Sequence, residues 1–511
     1  MKKPHQVLAI TAALLSFAGA AHAAEWQPIG TLGIGGAGVA RQNGAFTAYW
    51  NPAGGAFNDK TFSFMTGAEF GVRGNDALTD NVDKLSKIKF DQIKDLGNNA
   101  TPDTVANAVK LIGILDDISK RGGNLSISGG VPVGFAIKHL SFGVFGNFEG
   151  SVVPVADTTN ILPNQTSGNT VTPTDIYNAL SHTPGFGSLT NNGFFTDAQR
   201  SILIANLTTP TVTAPQATQA VDALQITLAA QGQSADVAFD AASKLTQSIA
   251  SGSNSSISNN TSSVVSKALL YAEAPIAYGH PINLGQFGTL GVGVAVKAIA
   301  GSVYQNQVLL VNDPSGKAIS SGDLGKQLTK NHEQSNNIGV DAGVLWKKSI
   351  LSVGVVGKNL NKPTFKAPNY QKYTNDPTTG AIVTTTVKGE DVALDPMVRA
   401  GIALDPWKWL TIAADMDLTK NKSVGPLNNG VKSQNIGGGV EIHPWSILKV
   451  RAGAMKNIAA VDGSTNPLIL TAGLSFLFLD LDAAAATKTF KVDNKTIPEE
   501  LRVQLMAGFS F

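Results

Sequence analysis

The side chains able to do covalent or metal chemistry are few and scattered. Seven histidines stand at positions 5, 22, 139, 182, 280, 332 and 443, with no spacing that gathers ligands for a metal. The chain has no cysteine, so thiolate metal sites, thiol nucleophiles and disulfides are excluded together. No Gly-x-Ser-x-Gly setting marks an activated serine. One motif invites a cofactor reading: Gly33-Ile34-Gly35-Gly36-Ala37-Gly38 fits G-x-G-x-x-G. A dinucleotide site needs a strand before that turn, a helix after it and a βαβ unit around both. Here too little chain precedes the glycines for the first strand pair, so the match is set aside. The chain is read as non-enzymatic, with no cofactor and no metal.

What remains is charge placed by alternation. Asp341, Arg399, Asp415, Asp417, Glu441, Arg451, Asp480 and Arg502 each interrupt an otherwise apolar or glycine-rich run. Between Trp409 and Leu418, for example, Leu410, Ile412, Ala414, Met416 and Leu418 alternate with Thr411, Ala413, Asp415 and Asp417. Period-two patterning of this kind is the signature of strands with two unlike faces. The runs lie near 61–72, 124–137, 141–154, 264–279, 287–304, 335–347, 350–361, 393–404, 408–419, 433–442, 447–457, 467–477, 478–487 and 501–511, which predicts about fourteen strands. Asp405-Pro406-Trp407 and His443-Pro444-Trp445 read as tight turns carrying interface tryptophans. Short and long connections alternate along the chain. If the eight charged residues share an inner face, they form a polar ladder inside a lumen, and ion-pair packing of a wet interior is the plain reading of them.

Two observations decide the solvent. The last eleven residues put Leu501, Val503, Leu505, Ala507, Phe509 and Phe511 on one face, and Arg502, Gln504, Met506, Gly508 and Ser510 on the other. That length suits a tilted strand crossing a bilayer. The strand resembles the C-terminal strand that the barrel assembly machinery recognises in bacterial outer-membrane proteins, with Phe509 and Phe511 as the assembly signal. At the other end, Lys2 and Lys3 precede an apolar run from Val7 to Ala20 and an Ala21-His22-Ala23 cleavage site, so residues 1–23 are expected to be a secretory signal peptide. Beyond it no apolar stretch is long enough for a helical span. Charged residues are only 15% and the formal net charge is +2, which gives no footing for nucleic-acid binding.

The expected fold is therefore all-β: a transmembrane antiparallel β-barrel of about fourteen strands, residues 61–511. A glycine-rich N-terminal plug at 24–60 and helical extracellular insertions at 73–123 and 155–263 complete it. In the first insertion, helical spacing runs through Leu85, Ile88, Ile93 and Leu96, then Val105, Val109, Ile112 and Leu115 after Thr101-Pro102-Asp103. In the second, Val221 to Leu228 and Val237 to Ile249 form a helical middle, and 250–262 is expected to be mobile.

The stretch Leu32 to Arg41 followed by Tyr49-Trp50-Asn51-Pro52-Ala53 resembles the mature N-terminus of the long-chain fatty-acid transporter family of outer-membrane proteins. It is similar as well to the related conjugal-transfer TraF-like barrels, which the insertion before 124 resembles more. The transporter resemblance implies a fourteen-stranded barrel with an internal hatch. Gly35, Gly36, Gly38, Asn51, Pro52 and Ala53 would be hatch or gating residues. It implies passive uptake of hydrophobic or amphipathic small molecules, such as long-chain fatty acids, across the outer membrane of a Gram-negative bacterium, with outer-membrane lipid around the barrel. The TraF-like resemblance implies instead an envelope component of a conjugation or secretion apparatus, binding a protein partner through its external loops. A barrel-embedded lipid hydrolase is the third reading, opposed by the missing Ser/His arrangement.

Overall fold

The computed structural model describes residues 25–41, 44–74, 96, 100–121, 124–157, 160, 171–250, 259–309, 326, 329–426, 432–445, 447–459, 466–492 and 495–511. The expected signal peptide, the helical spacing at 85–93 and most of the stretch 250–262 fall outside these residues.

Alternation resolves into strands wherever the two faces meet different surroundings. They are β1 (Ser63–Gly74), β2 (Leu125–Ile137), β3 (Leu140–Val155), β4 (Ser263–Asn283), β5 (Thr289–Leu309), β6 (His332–Lys348) and β7 (Leu351–Lys358). The second half comprises β8 (Met397–Trp407), β9 (Leu410–Asp417), β10 (Asn435–Trp445), β11 (Leu448–Asn457), β12 (Leu468–Phe476), β13 (Leu479–Ala486) and β14 (Glu500–Ser510). Among the described residues these fourteen form one closed barrel in chain order. Closure is antiparallel, β1 on β14, from Ser63 opposite Ser510 to Arg73 opposite Glu500. No edge is left to pair with another chain.

The faces are inverted relative to a soluble protein. In β12, Leu470, Leu474 and Phe476 are 54, 48 and 53% exposed, while Ile469, Thr471 and Ser475 between them are buried. In β14, Leu501, Val503, Leu505 and Phe509 face outward, while Gln504 and Met506 are buried within. An apolar belt around a closed barrel with a polar interior is stable in lipid, where every backbone group must be paired. Rings gather at the short-turn end: Trp407 stacks on Trp409 at 5.3 Å, and Phe62 lies 5.7 Å from Phe511.

The two Pro-Trp sequences correct one expectation. Both are strand ends rather than turns, each with a register shift, between Leu404 and Trp407 in β8 and between Ile442 and Trp445 in β10. A bulge leaves a residue unpaired, which is the place a ladder tolerates proline.

On the long-loop end sits a helical cap: α2 (Pro102–Arg121), α3 (Pro173–Ser181), α4 (Asp197–Leu207), α5 (Ala214–Ala230) and α6 (Ala235–Ala250). The label α1 belongs to the single turn Thr47–Trp50 inside the barrel. Pro102 opens α2 as its position predicts. The helices α3 and α4 were not anticipated, although Thr172 with Asp175 and Thr196 with Gln199 form capping boxes readable in the sequence. The cap encloses its own apolar core, including Val109, Ile112, Leu180, Phe195, Leu224 and Leu245. Ion pairs bind it further, Arg200 of α4 to Asp222 of α5 and Lys244 of α6 to Asp116 of α2.

Candidate functional site: the filled lumen

Residues 25–41 and 44–57 lie inside the barrel, and Ile29, Ile34, Val39 and Trp50 have no exposed surface. The sequence forces short turns there: a 3-10 turn over Leu32–Ile34, α1, and a 3-10 helix over Pro52–Phe57. Gly35 closes the first with φ +67, in left-handed space. The same residue lies so near the wall that a Cβ there would meet the backbone of Gly438 and Ala454. Gly36 follows at φ +74, and a side chain on Gly38 would overlap Trp50. The two halves of the segment are tied to each other by Trp50 Nε1 donating to Ile29 O (2.7 Å) and Tyr49 OH donating to Gln27 O (3.1 Å).

Asn51 joins the segment to itself and to the wall. Its Oδ1 accepts from Ala53 N (3.1 Å), capping the Pro52–Phe57 turn. Its Nδ2 donates to Val39 O (3.1 Å) and to Val344 O on β6 (3.2 Å). Pro52 occupies the first turn, where its missing N–H is not needed. Ala53 is fully buried.

The wall answers with carboxylates and amides. Asp415 accepts from Gly38 N (2.8 Å) and Val39 N (2.9 Å), and Asp482 accepts from Gly33 N (3.0 Å). Gln504 Oε1 accepts from Gly30 N (2.9 Å), and Thr471 Oγ1 accepts from Gly35 N (3.1 Å). Arg41 of the segment pairs with Glu441 at 2.9 Å. Two barrel cations sit on its rings: Lys358 Nζ lies 3.6 Å from the Tyr49 centroid, and Arg399 lies 5.0 Å from that of Trp26.

The eight charged residues singled out from sequence all lie on barrel strands with inward side chains, but they form separate clusters rather than one ladder. Asp341 meets Lys297 (3.0 Å), which also meets Glu273 (2.8 Å), with Lys358 beyond at 3.8 Å from Glu273. Arg399 and Asp417 pair at 2.7 Å. Arg451 serves Asp480 (3.0 Å), Asp482 (3.1 Å) and Glu441 (3.5 Å). Arg502 binds Glu500 (2.6 Å) and Glu25 (3.5 Å), and Arg73 binds Glu25 (2.9 Å). Lys297, Glu273, Lys358, Asp482, Glu25 and Arg41 were missed. Strand parity could have flagged Lys297, which falls on the face opposite the exposed Val294 and Val296. Phe509 and Phe511 are 55 and 67% exposed, beside Phe64 and Phe62.

Two crevices of about 10 Å³ lie between segment and wall, each with room for about one water. One is lined by Arg73, Glu149 and Arg502, the other by Trp26, Gly35 and Arg399. Above the segment, an apolar cluster occupies the upper lumen: Phe148, Leu269, Tyr271, Ile299 and Val303 from the wall, with Phe365, Leu394 and Val424 from loops folded over the mouth. Val424 is pinned to the opposite wall, its N–H donating to Glu149 Oε1 (3.0 Å) and its carbonyl accepting from Ser151 Oγ (2.9 Å). Among the described residues no group of His, Asp and Glu is arranged to hold a metal ion.

These features define a membrane-spanning β-barrel filled by its own N-terminal segment and covered by a helical cap. The family described as F plasmid transfer operon, TraF, protein matches residues 48–417, and the chain belongs to it. No curated protein sequence matches. Similar solved structures include the toluene transporter TodX of Pseudomonas putida, at 11% identity and TM-score 0.43 over 95% of this chain and 97% of that one. The toluene transporter TbuX of Ralstonia pickettii is similar at 12% identity and TM-score 0.41, covering 95% and 98%. A Pseudomonas aeruginosa FadL homologue is similar at 12% and 0.38, covering 96% and 98%.

Proposed function

We propose that the protein is an outer-membrane channel for passive uptake of hydrophobic or amphipathic small molecules, gated by residues 25–57. The observation that carries this reading is how that segment is held. Its backbone N–H groups and Asn51 bond to the wall at points spread around the barrel, so it can leave without unfolding the strands. Directly above, buried apolar side chains of wall and loops pack on one another, and parting those loops would bare a surface on which an apolar molecule can rest on the way in. In this reading residues 1–23 direct export. Phe509 and Phe511 present the barrel to the assembly machinery. Gly35, Gly36, Gly38, Asn51, Pro52 and Ala53 shape the gate, and the buried charge clusters hold the wall rigid around it.

A reversible tether tests the gate. A Cβ on Gly354 would lie 2.8 Å from Val39 O and 3.2 Å from Val39 Cγ1, so after a small shift of the segment Val39→Cys with Gly354→Cys places two sulfurs within bridging range. The chain has no other cysteine. Cells lacking their own transporter and expressing this pair should take up a labelled long-chain alcohol or alkane when reduced and lose that uptake when oxidised. Equal uptake in both states would refute gating by this segment. No uptake from a correctly assembled wild-type barrel would favour the second reading, an envelope component binding a protein partner. That reading draws on the family match, which includes the described cap helices with their separate core.

A further inference from the structure

The carboxylates that hold the gate are balanced by the gate itself. Asp415 is 5% exposed, and no cation lies within ion-pair distance of it among the described residues; its Oδ2 accepts from Gly38 N–H and Val39 N–H. Asp482 receives Gly33 N–H and shares Arg451 with Glu441 and Asp480. Glu441 in turn receives Arg41, which belongs to the gate. Withdrawing the segment therefore removes one guanidinium and three N–H donors from one stretch of wall. It leaves Glu441, Asp480 and Asp482 to one guanidinium, Arg451, with His443 on Glu441, and strips Asp415 of its two N–H donors. Toward the mouth the balance differs: withdrawal also takes Glu25 away from Arg73 and Arg502, which are left to Glu500 and the nearby Glu149, so the uncompensated anions lie deeper, around Asp415, Glu441, Asp480 and Asp482. Successive backbone N–H groups act as a nest for anionic groups, and here the anions belong to the wall.

We infer that the open lumen is net negative and selects by headgroup charge, admitting neutral and cationic amphiphiles and rejecting carboxylates. Rings of Asp and Glu confer cation preference on a pore, and a low-dielectric wall focuses their field on whatever passes. A carboxylate headgroup would meet this acidic stretch with the N–H donors gone, and like charges at close range disfavour its ionised form. An ammonium or hydroxyl headgroup meets no such repulsion. The inference rests on the uptake reading and narrows its substrate class.

The test is ion selectivity of full-length protein in planar bilayers under a potassium chloride gradient. The neutral substitution Asn51→Ala is used to raise the frequency of openings. Openings should reverse on the potassium side, and adding Asp415→Asn with Asp482→Asn should move the reversal potential toward zero. Uptake of three labelled probes sharing one dodecyl tail should follow the same order: trimethylammonium and alcohol enter, and carboxylate enters several-fold more slowly. Non-selective or chloride-selective openings of Asn51→Ala would overturn the inference while leaving a channel, and that measurement needs no carboxylate variant to fold. Equal entry of the carboxylate would overturn it too. Openings absent at every voltage would overturn the uptake reading on which it stands.

Discussion

Asn51→Ala is the sharpest probe of how firmly the gate is held. The side chain is 1% exposed and makes three hydrogen bonds, one of them to the β6 wall. Two of them stay within the segment; only the bond to Val344 O is broken when it leaves the wall, and losing it while that carbonyl stays buried should cost about 1–3 kcal/mol. At 1.4 kcal/mol per decade, that raises the displaced population roughly 5-fold to 140-fold. Opening probability in planar bilayers reads this directly, once heat-modifiable gel mobility shows a folded barrel. Gly343→Ala supplies an independent route to the same state, because its Cβ would collide with Asn51 Oδ1 and push the amide off the wall. The two substitutions attack one contact, so the double variant should fall well short of the sum of the singles. An Asn51→Ala opening probability within about threefold of wild type, against that hydrogen-bond accounting, would refute the claim that this side chain anchors the gate.

Lys297→Met should destabilise the barrel by about 3–5 kcal/mol in urea unfolding, because it takes from buried Glu273 and Asp341 the cation they share. Adding Glu273→Gln and Asp341→Asn should recover most of that, and no recovery would show that the loss is packing rather than charge. In the cap, burial acting alone would raise the Asp116 carboxyl, but hydrogen bonds and charge from Lys120 and Lys244 outweigh it and hold the group below its ordinary value. Its stabilising contribution is therefore complete above the unfolded carboxylate value near 4 and is lost as pH falls through the lowered folded value. Amide protection factors in α6, taken relative to the intrinsic exchange rate at each pH, should be lower at pH 3 than at pH 6 in wild type, and Asp116→Asn should lose part of that difference. Thr196→Ala removes the capping box of α4 and should cost the cap about 1 kcal/mol, seen as earlier loss of the cap's helical signal on heating.

The strands were legible because lipid imposes a strict period of two on the outer face. Leu501, Val503 and Leu505 could be placed on that face without any partner. The lumen was less legible because inner-face contacts depend on register between strands and on what fills the barrel. Asp415 was placed inside by parity, yet nothing in its strand says that its partners are the N–H groups of Gly38 and Val39, nearly four hundred positions away. The run Gly437-Gly438-Gly439 reads as a weak strand. Its purpose becomes visible only when the backbone at Gly35 lies against Gly438 and leaves no room for a Cβ. The helices α3 and α4 were missed for another reason, since their apolar periodicity is short and only their capping boxes announce them.

The chemistry of the attachment constrains what the lumen can do. A segment held by apolar burial would gain roughly 25 cal/mol for every Å² of apolar surface covered, and its release would expose that surface to water. This segment is held both ways: Ile29, Ile34, Val39 and Trp50 pack in apolar clusters with Phe145, Leu345, Val356 and Met506 of the wall, while its N–H donors on carboxylates exchange for bonds to water when it moves, so each of those contributes only about a kilocalorie net. Carboxylates left behind can be rehydrated if water follows, and the wall around them is already polar. Rigidity of that wall is supplied separately, by Lys297 with Glu273 and Asp341 and by Arg399 with Asp417, none of which need break when the gate shifts. Two cations sit on the boundary between these systems. Lys358 lies against Tyr49 while 3.8 Å from Glu273, and Arg399 lies over Trp26 while bonded to Asp417. Each is anchored in the wall and touches the gate through an aromatic face, a contact worth about 0.5–2 kcal/mol that can be broken without leaving a buried charge unpaired. In the proposed channel, this division between a fixed ionic wall and a separately bonded segment is what would let one barrel stay closed at rest and still open.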